Sequence, residues 1–72
     1  MRFNIGDLIL WKTTEELSTI TGYWLDYNNV PYYEIEFYST QFKRYYTEYV
    51  GEERIKVLIE FGSILHYPVN KD

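Results

Sequence analysis

The segment 31–38 reads Pro-Tyr-Tyr-Glu-Ile-Glu-Phe-Tyr and has the clearest period of two in the chain. Tyr33, Ile35 and Phe37 alternate there with residues that include two glutamates. Because successive side chains of a β-strand point to opposite faces of a sheet, this alternation predicts a strand with one face in the core and one in solvent. Pro31 fits the first position of such a strand, where its missing N–H breaks no ladder hydrogen bond. The predicted solvent face consists of Tyr32, Glu34, Glu36 and Tyr38.

Short segments of strand character lie on both sides of 31–38, separated by residues that favour turns. Asn28 and Asn29 tolerate the left-handed backbone of a tight hairpin, and Gly51 interrupts the chain again. Pro68 confines the last segment to the edge of a sheet, since proline cannot donate a hydrogen bond to a ladder. The other predicted strands are Leu8–Trp11, 18–27, 42–49 and 64–69.

Residues 52–61 fit two patterns. A strand would place one alternating apolar set on a single face of the sheet. A helix would instead bury a narrower stripe that follows two glutamates, which suit a helix N-terminus. We predict the strand and keep the helix as the alternative. The alternating set is Ile55, Val57, Ile59 and Phe61, and the helical stripe is Ile55, Leu58 and Ile59.

Five or six short strands, with a turn about every ten residues, predict an all-β fold in the form of a small antiparallel barrel. Closing the sheet would also remove most of the exposed edge that so many β-prone aromatic residues would make adhesive. The side chains expected inside are Ile9, Trp11, Leu25, Ile35, Phe37, Ile55 and Val57, with Trp24, Tyr33 and Tyr46 in further inward positions.

Four short motifs give the chain a resemblance to SH3-like barrels of the Tudor, chromo and KOW type. They are Ile-Gly-Asp-Leu-Ile at 5–9, Thr-Gly-Tyr-Trp at 21–24, Tyr-Glu-Ile-Glu-Phe at 33–37 and Arg-Ile-Lys-Val-Leu at 54–58. The resemblance covers about residues 3–58, and it implies a five- to six-stranded SH3-like barrel with a C-terminal strand extension. It implies no activity, since such barrels carry many unrelated functions.

The resemblance divides the chain into a barrel over residues 1–60 and an extension over 61–72 that packs on, or pairs with, the barrel edge. In length and in the overall character of its sequence, including Tyr-Tyr-Thr-Glu at 45–48, the chain is also similar to small uncharacterised proteins of tailed bacteriophages. That likeness implies a phage-encoded accessory or host-modulating protein.

The composition describes a small acidic domain. The chain has 72 residues, 46% of them hydrophobic, and a net charge of −4. This charge repels a phosphate backbone and disfavours nucleic acid as a partner. Absence of cysteine is typical of cytosolic or virion proteins and excludes a disulfide framework. We find no secretory h-region and no apolar run of about 20 residues, so we expect no membrane association and a location in the cytoplasm, of the host if phage-encoded, or in the virion.

Catalysis has little support in the sequence. His66 is the only histidine, and its apolar neighbours indicate a half-buried strand residue. Glu34 and Glu36 share a strand face about 7 Å apart. Paired carboxylates can perform glycosidase chemistry, but only within a cleft. We therefore expect no enzyme, no metal and no cofactor.

The nine tyrosines, four phenylalanines and two tryptophans are too many for the interior of so small a domain. We therefore predict a protein–protein interaction module with surface tyrosines, because tyrosine supplies contact area at small entropic cost. The predicted partner-binding residues are Tyr23, Tyr32, Glu34, Glu36, Tyr38, Phe42 and Tyr45.

Three other interpretations remain open. Lys43 and Arg44, next to tyrosines, suit weak nucleic-acid binding through phosphate contacts and base stacking. The apolar C-terminal strand suits a self-associating structural or virion assembly subunit. The Tudor resemblance implies a cage for methylated cations, and the aromatic residues at roughly the corresponding places are Trp11, Tyr23, Tyr38 and Phe42.

Overall fold

The computed structural model describes residues 3–69, which form five strands and one helix. The elements are β1 (Leu8–Trp11), β2 (Glu16–Leu25), β3 (Pro31–Ser39), β4 (Arg44–Gly51), α1 (Glu52–Glu60) and β5 (Ile64–Tyr67). The strands form one antiparallel sheet in the order β4-β3-β2-β1-β5. The last strand therefore returns to pair with the first.

Strand β3 confirms the pattern from which the fold was predicted. Tyr33, Ile35 and Phe37 are buried, and the residues between them are more exposed. Asn29 has a φ of 63° in the turn before this strand, as its residue type indicated. The alternation was reliable here because β3 has a neighbour on each side and core on one face only.

The sheet is open, and the fold is mostly β rather than all-β. Among the described residues, β4 pairs only with β3, and β5 pairs only with β1. A closed barrel would need hydrogen bonds between the two edge strands, β4 and β5. The segment between β4 and β5 forms a helix, which cannot extend a ladder.

The strand predicted over 52–61 was wrong. In α1, Ile55 is fully buried and packs in the core with Leu58 and Ile59, while Val57 is exposed. Glu52 and Glu53 occupy the first helical turn, where negative charge is favourable. A single sheet needs a second layer to bury one of its faces, and the helix supplies that layer.

The helix ends in a Schellman motif. Gly62 adopts a φ of 78° and donates its N–H to the Ile59 carbonyl (3.0 Å), while the Ser63 N–H reaches the Leu58 carbonyl (2.9 Å). This left-handed position strongly favours glycine. A glycine directly after an apolar helical stripe is a usual signal for the end of a helix.

A β-bulge in β2 changes which side chains face the core. Ile20 lies opposite Ile35, yet Gly22 lies opposite Glu34, so Thr21 is an extra residue in the ladder. Beyond the bulge the alternation is inverted: Tyr23 turns towards the core face and Trp24 away from it. The prediction that Trp24 is an inward residue was therefore wrong.

The core lies between the sheet, α1 and the N-terminal segment. Its buried apolar residues are Phe3, Ile9, Ile20, Tyr33, Ile35, Phe37, Ile55 and Ile64, with Trp11, Tyr46, Val50, Leu58 and Ile59 partly buried around them. Leu25 and Val57, predicted inside, are exposed. Leu25 is the last residue of β2, beyond the reach of the helix.

Candidate functional site: the outer face of the sheet

We call the side of the sheet opposite α1 the outer face. Helix α1 and Phe3 both pack on the core face of the sheet. None of the elements within residues 3–69 covers the outer face. By strand alternation and register, it carries apolar side chains on all five strands. The largest of them are Leu8, Leu10, Leu17, Trp24, Tyr32, Tyr38, Tyr45, Tyr49, Leu65 and Tyr67.

One aromatic group, cluster A, consists of Tyr38 and Tyr45. These residues are directly opposite each other in the β3–β4 ladder, with ring centroids 4.9 Å apart and planes at 64°. Such an edge-to-face pair is the favoured geometry for two aromatic rings. Tyr45 is 65% exposed, so the pair presents most of its surface to solvent.

A second group, cluster B, consists of Trp24, Tyr32 and Tyr49. Trp24 is opposite Tyr32 across β2 and β3, and the Tyr32 and Tyr49 rings meet edge-on with centroids 6.2 Å apart. Trp24 is 51% exposed and Tyr49 is 63% exposed. The bulge in β2 places Trp24 in this cluster, which is why alternation from the start of the strand did not identify it.

A polar band separates the two clusters. Glu34 is opposite Tyr49 on β4 and Gly22 on β2, and Glu36 is opposite Thr47 and Thr19. The predicted partner-binding set is therefore divided: Tyr38 and Tyr45 lie at one end of the outer face, Tyr32 lies at the other, and both glutamates lie between them.

The remaining predicted residues lie off this face. Tyr23 turns to the core side, with its ring centroid 5.1 Å from that of Tyr33. Phe42 and Lys43 lie in the β3–β4 turn, where the Phe42 N–H donates to Ser39 Oγ (3.1 Å) and Lys43 has a φ of 57°. Arg44 is the first residue of β4.

The implied aromatic cage is wrong for the four residues proposed. Trp11 faces the core side, whereas Tyr38 faces the outer side of the same sheet. Tyr23 lies near the opposite end of the sheet from Phe42, because β2 runs away from the end at which the β3–β4 turn lies. Four side chains so distributed cannot surround one ligand.

A groove of about 520 Å³ opens on the core side between the β1–β2 loop, β4 and α1. Its aromatic wall consists of Trp11, Phe37 and Tyr46, with centroids 5.4 Å apart for the first two and 5.1 Å for the last two. The Phe37 and Tyr46 rings are nearly parallel, at 8°. The charged residues that line the groove are Glu16, Glu48 and Arg54.

The polar groups in this groove are tied to one another. The Tyr46 hydroxyl donates to Glu16 Oε1 (3.2 Å), and Trp11 Nε1 donates to Ser18 Oγ (2.8 Å). Desolvation raises the pKa of Tyr46, and the negative charge of Glu16, its hydrogen bond to the hydroxyl and the charge of Glu48 raise it further. The tyrosine therefore remains a neutral donor in this acidic groove.

Asp7 and His66 join the N-terminal segment to β5. His66 Nε2 lies 2.7 Å from Asp7 Oδ2, and the same carboxylate accepts the Asn4 N–H (3.0 Å) and the Val69 N–H (3.3 Å). Burial raises the pKa of Asp7, but the hydrogen bonds from Asn4, His66 and Val69 outweigh that effect and lower the pKa below its usual value. His66 is half-buried in a structural contact, as its neighbours indicated.

Two searches of the described part of the chain were negative. In residues 3–69 no cluster of three or more histidine, cysteine, aspartate or glutamate side chains is arranged to hold a metal ion. Over the same residues no helix is long and apolar enough to cross a membrane. The chain matches no family model, no curated protein and no solved structure.

Proposed function

We propose that this chain is a non-catalytic protein-interaction module that binds a protein partner with the outer face of its sheet. The observation that carries the proposal is the exposure of clusters A and B on a face that no described element covers. Contiguous apolar patches that are exposed on a protein surface often mark sites of interaction with a partner.

The residue types suit protein recognition. Tyrosine and tryptophan dominate the energetic centres of interfaces, because each brings a large rigid area with a polar atom at its edge. The band formed by Glu34 and Glu36 adds negative charge between the clusters. A complementary partner surface would therefore be apolar at two points with basic groups between them.

The SH3-like relationship is part of the proposal. The antiparallel order β4-β3-β2-β1-β5 supports it, because β1 to β4 form a meander and the last strand returns to pair with the first. Small antiparallel barrels with exposed aromatic surfaces serve as binding modules in many proteins.

The decisive experiment compares capture of partners by three forms of the chain. In the first variant, Tyr38→Ser and Tyr45→Ser remove cluster A. The matched control, Tyr27→Ser with Phe61→Ser, removes two aromatic residues that are 98% and 79% exposed but lie in a turn and at the end of α1. Each form is immobilised, and bound proteins are quantified by mass spectrometry.

We expect a protein that wild type and the control capture equally, and that the cluster A variant captures at least about tenfold less. Equal capture by all three forms, or no captured protein, contradicts the proposal. Circular dichroism of each form checks that the sheet is retained.

A second candidate function concerns the groove. Of its aromatic residues, Trp11 and Tyr46 are only partly buried. Two carboxylates, Glu16 and Glu48, line the groove against one basic residue, Arg54, so its charge suits a cationic side chain of a partner held against an aromatic ring. A titration with a lysine-containing peptide, followed by NMR, should shift the Trp11 indole N–H signal. Glu48→Gln should weaken that effect, and Glu60→Gln at the end of α1 is the control.

Nucleic-acid binding through Lys43, Arg44 and Tyr45 stays a prediction. The turns that hold Lys12 and Lys43 lie at the same end of the sheet, since β1 and β3 run in the same direction. Glu15 and Glu16 lie at that end too, so the basic patch is interrupted by acidic residues. Binding that falls steeply with salt would support this alternative.

A further inference from the structure

The two edges of the sheet differ. Strand β5 has four residues and is followed at once by Pro68, whereas β4 has eight residues, Arg44–Gly51, with no proline. Within residues 3–69 the free edge of β4 pairs with nothing. An edge of this length presents a row of unpaired backbone N–H and C=O groups, which can pair with another strand.

We propose that β4 is the dimerisation edge of this protein and pairs antiparallel with β4 of a second copy, with Tyr46 at the two-fold axis. Two five-stranded sheets would then form one continuous sheet. This proposal goes beyond the outer-face function and does not rest on it. It also differs from self-association through the C-terminal strand, because β5 already pairs with β1 and its remaining edge is short.

The charges of β4 select the register. Arg44 and Glu48 each lie two residues from Tyr46, and all three face the core side of the sheet. Antiparallel pairing centred on Tyr46 places Arg44 opposite Glu48 of the second copy, and symmetry repeats the pair. Opposite charges at directly facing positions stabilise a ladder.

Neighbouring registers lack this complementarity. A two-fold axis at a residue pairs residues that share a sheet face, and the nearest alternatives to Tyr46 are Tyr45, Thr47 and Glu48. Centring on Tyr45 places Arg44 opposite Tyr46, which carries no opposite charge. Centring on Thr47 places Arg44 opposite Val50, and centring on Glu48 brings two glutamates together, which is destabilising. The Tyr46 register also leaves Tyr49, Val50 and Gly51 outside the paired region, so α1 begins beyond it.

The same register joins the exposed aromatic groups of two copies. Tyr45 lies opposite Thr47 of the second copy, which makes the two Tyr45 residues diagonal neighbours about 7–8 Å apart, within reach of aromatic rings. The two copies of cluster A would then form one larger aromatic surface on the outer face.

Sedimentation equilibrium over a range of protein concentrations tests the dimer. We expect wild type to dimerise, and Arg44→Glu and Glu48→Arg each to weaken the dimer at least about tenfold, because each places two like-charged pairs at the seam. The double variant Arg44→Glu, Glu48→Arg should restore wild-type affinity. Lys12→Glu and Glu60→Arg make the same changes in net charge away from β4 and should have little effect.

A monomeric wild type at all concentrations overturns the proposal. So does a wild-type dimer that neither single charge reversal weakens, because the contact would then lie elsewhere. Failure of the double variant to restore affinity overturns the register.

Cross-linking tests the register independently, since the chain has no cysteine. At the axis, the two Cα atoms would lie about 4.5–5.5 Å apart, which suits a disulfide. Tyr46→Cys should therefore form a covalent dimer under mild oxidation, and Thr47→Cys should do so much less. If Thr47→Cys forms the covalent dimer more readily than Tyr46→Cys, the two-fold axis lies at Thr47, which contradicts the charge argument. The charge-reversal series retains the native Tyr46 and provides the answer if Tyr46→Cys does not fold.

Discussion

Both faces of this sheet carry large aliphatic or aromatic side chains, but the two faces differ in burial. On the core face, Ile9, Ile20 and Ile35 have no solvent exposure, whereas Tyr45 and Tyr49 on the outer face are mostly exposed. The strands are the same, so local sequence preference does not explain the contrast. Helix α1 and Phe3 pack against one face only. The comparison shows that the second layer, rather than apolar character alone, distinguishes the buried face of the sheet from the exposed one.

The largest effect is expected for a substitution at the centre of the core face. Ile35→Ala should lower the free energy of unfolding by about 3 kcal/mol, because it removes buried methyl groups and leaves a cavity. Urea unfolding measures the loss. Val30→Ala, at an exposed apolar position before β3, is the control and should cost less than about 1 kcal/mol. A small loss at Ile35 would mean that the core face is not tightly packed.

The next effect concerns Asp7, the buried carboxylate at the end of the core. Asp7→Asn should lower stability at neutral pH by about 2 kcal/mol, since it disturbs the pairing with His66 and backbone N–H groups. The pKa of Asp7 is lowered in the folded state, so its contribution is present above the unfolded pKa of about 3.9 and is lost as pH falls through the lower folded value.

Urea unfolding at several pH values checks this sign. Wild type should lose more stability than Asp7→Asn as the pH falls from about 5 to 2. Glu15→Gln, which changes an exposed carboxylate in the β1–β2 turn, should follow the wild-type profile closely. Parallel profiles for wild type and Asp7→Asn would show that the Asp7 carboxylate does not contribute in this way.

Gly22 gives an intermediate case, because it lies on the outer face but is covered by its neighbours. A Cβ atom there would lie 2.7 Å from Glu34 Oε1 and 3.0 Å from Trp24 Nε1. Gly22→Ala should therefore cost about 1 kcal/mol. The cost should shrink in a Trp24→Ala background, where one obstacle is gone. An unchanged cost in that background would assign the effect to the backbone of the bulge.

The smallest effect is expected for an exposed outer-face tyrosine. Tyr45→Ala should change the free energy of unfolding by about 0.5 kcal/mol, the size of a cross-strand pair with Tyr38. The adjacent Tyr46→Ala should cost about 2 kcal/mol or more, because Tyr46 stacks on Phe37 and packs against the core. Thermal unfolding of the two variants compares neighbouring tyrosines on opposite faces, and equal losses would contradict the assigned orientation.

Patterns that are local in the chain predicted much of the fold. The start of β3 at Pro31, the left-handed Asn29 and the full extent of β1 are all as the sequence indicated. Each depends on a residue type whose preference acts within two or three positions. The exposure of Tyr38 followed from the alternation in β3.

The errors arose where two local solutions were available. Residues 52–61 fit both a strand and a helix, and the need for a second layer over the core face decided for the helix. The bulge at Thr21 was not predicted, although Gly22 inside the strand is a residue type that often marks a bulge. This bulge exchanged the faces of Tyr23 and Trp24. Cluster B therefore could not be assembled from alternation alone.

The sequence by itself determined a β-rich domain with more aromatic residues than its core can hold, because residue period and composition are properties of the chain. Only the tertiary structure decided which face is covered, where the aromatic residues gather and that β4 remains an open edge. Those features depend on contacts between segments far apart in sequence. Their free energies come from packing and register, which no single segment contains.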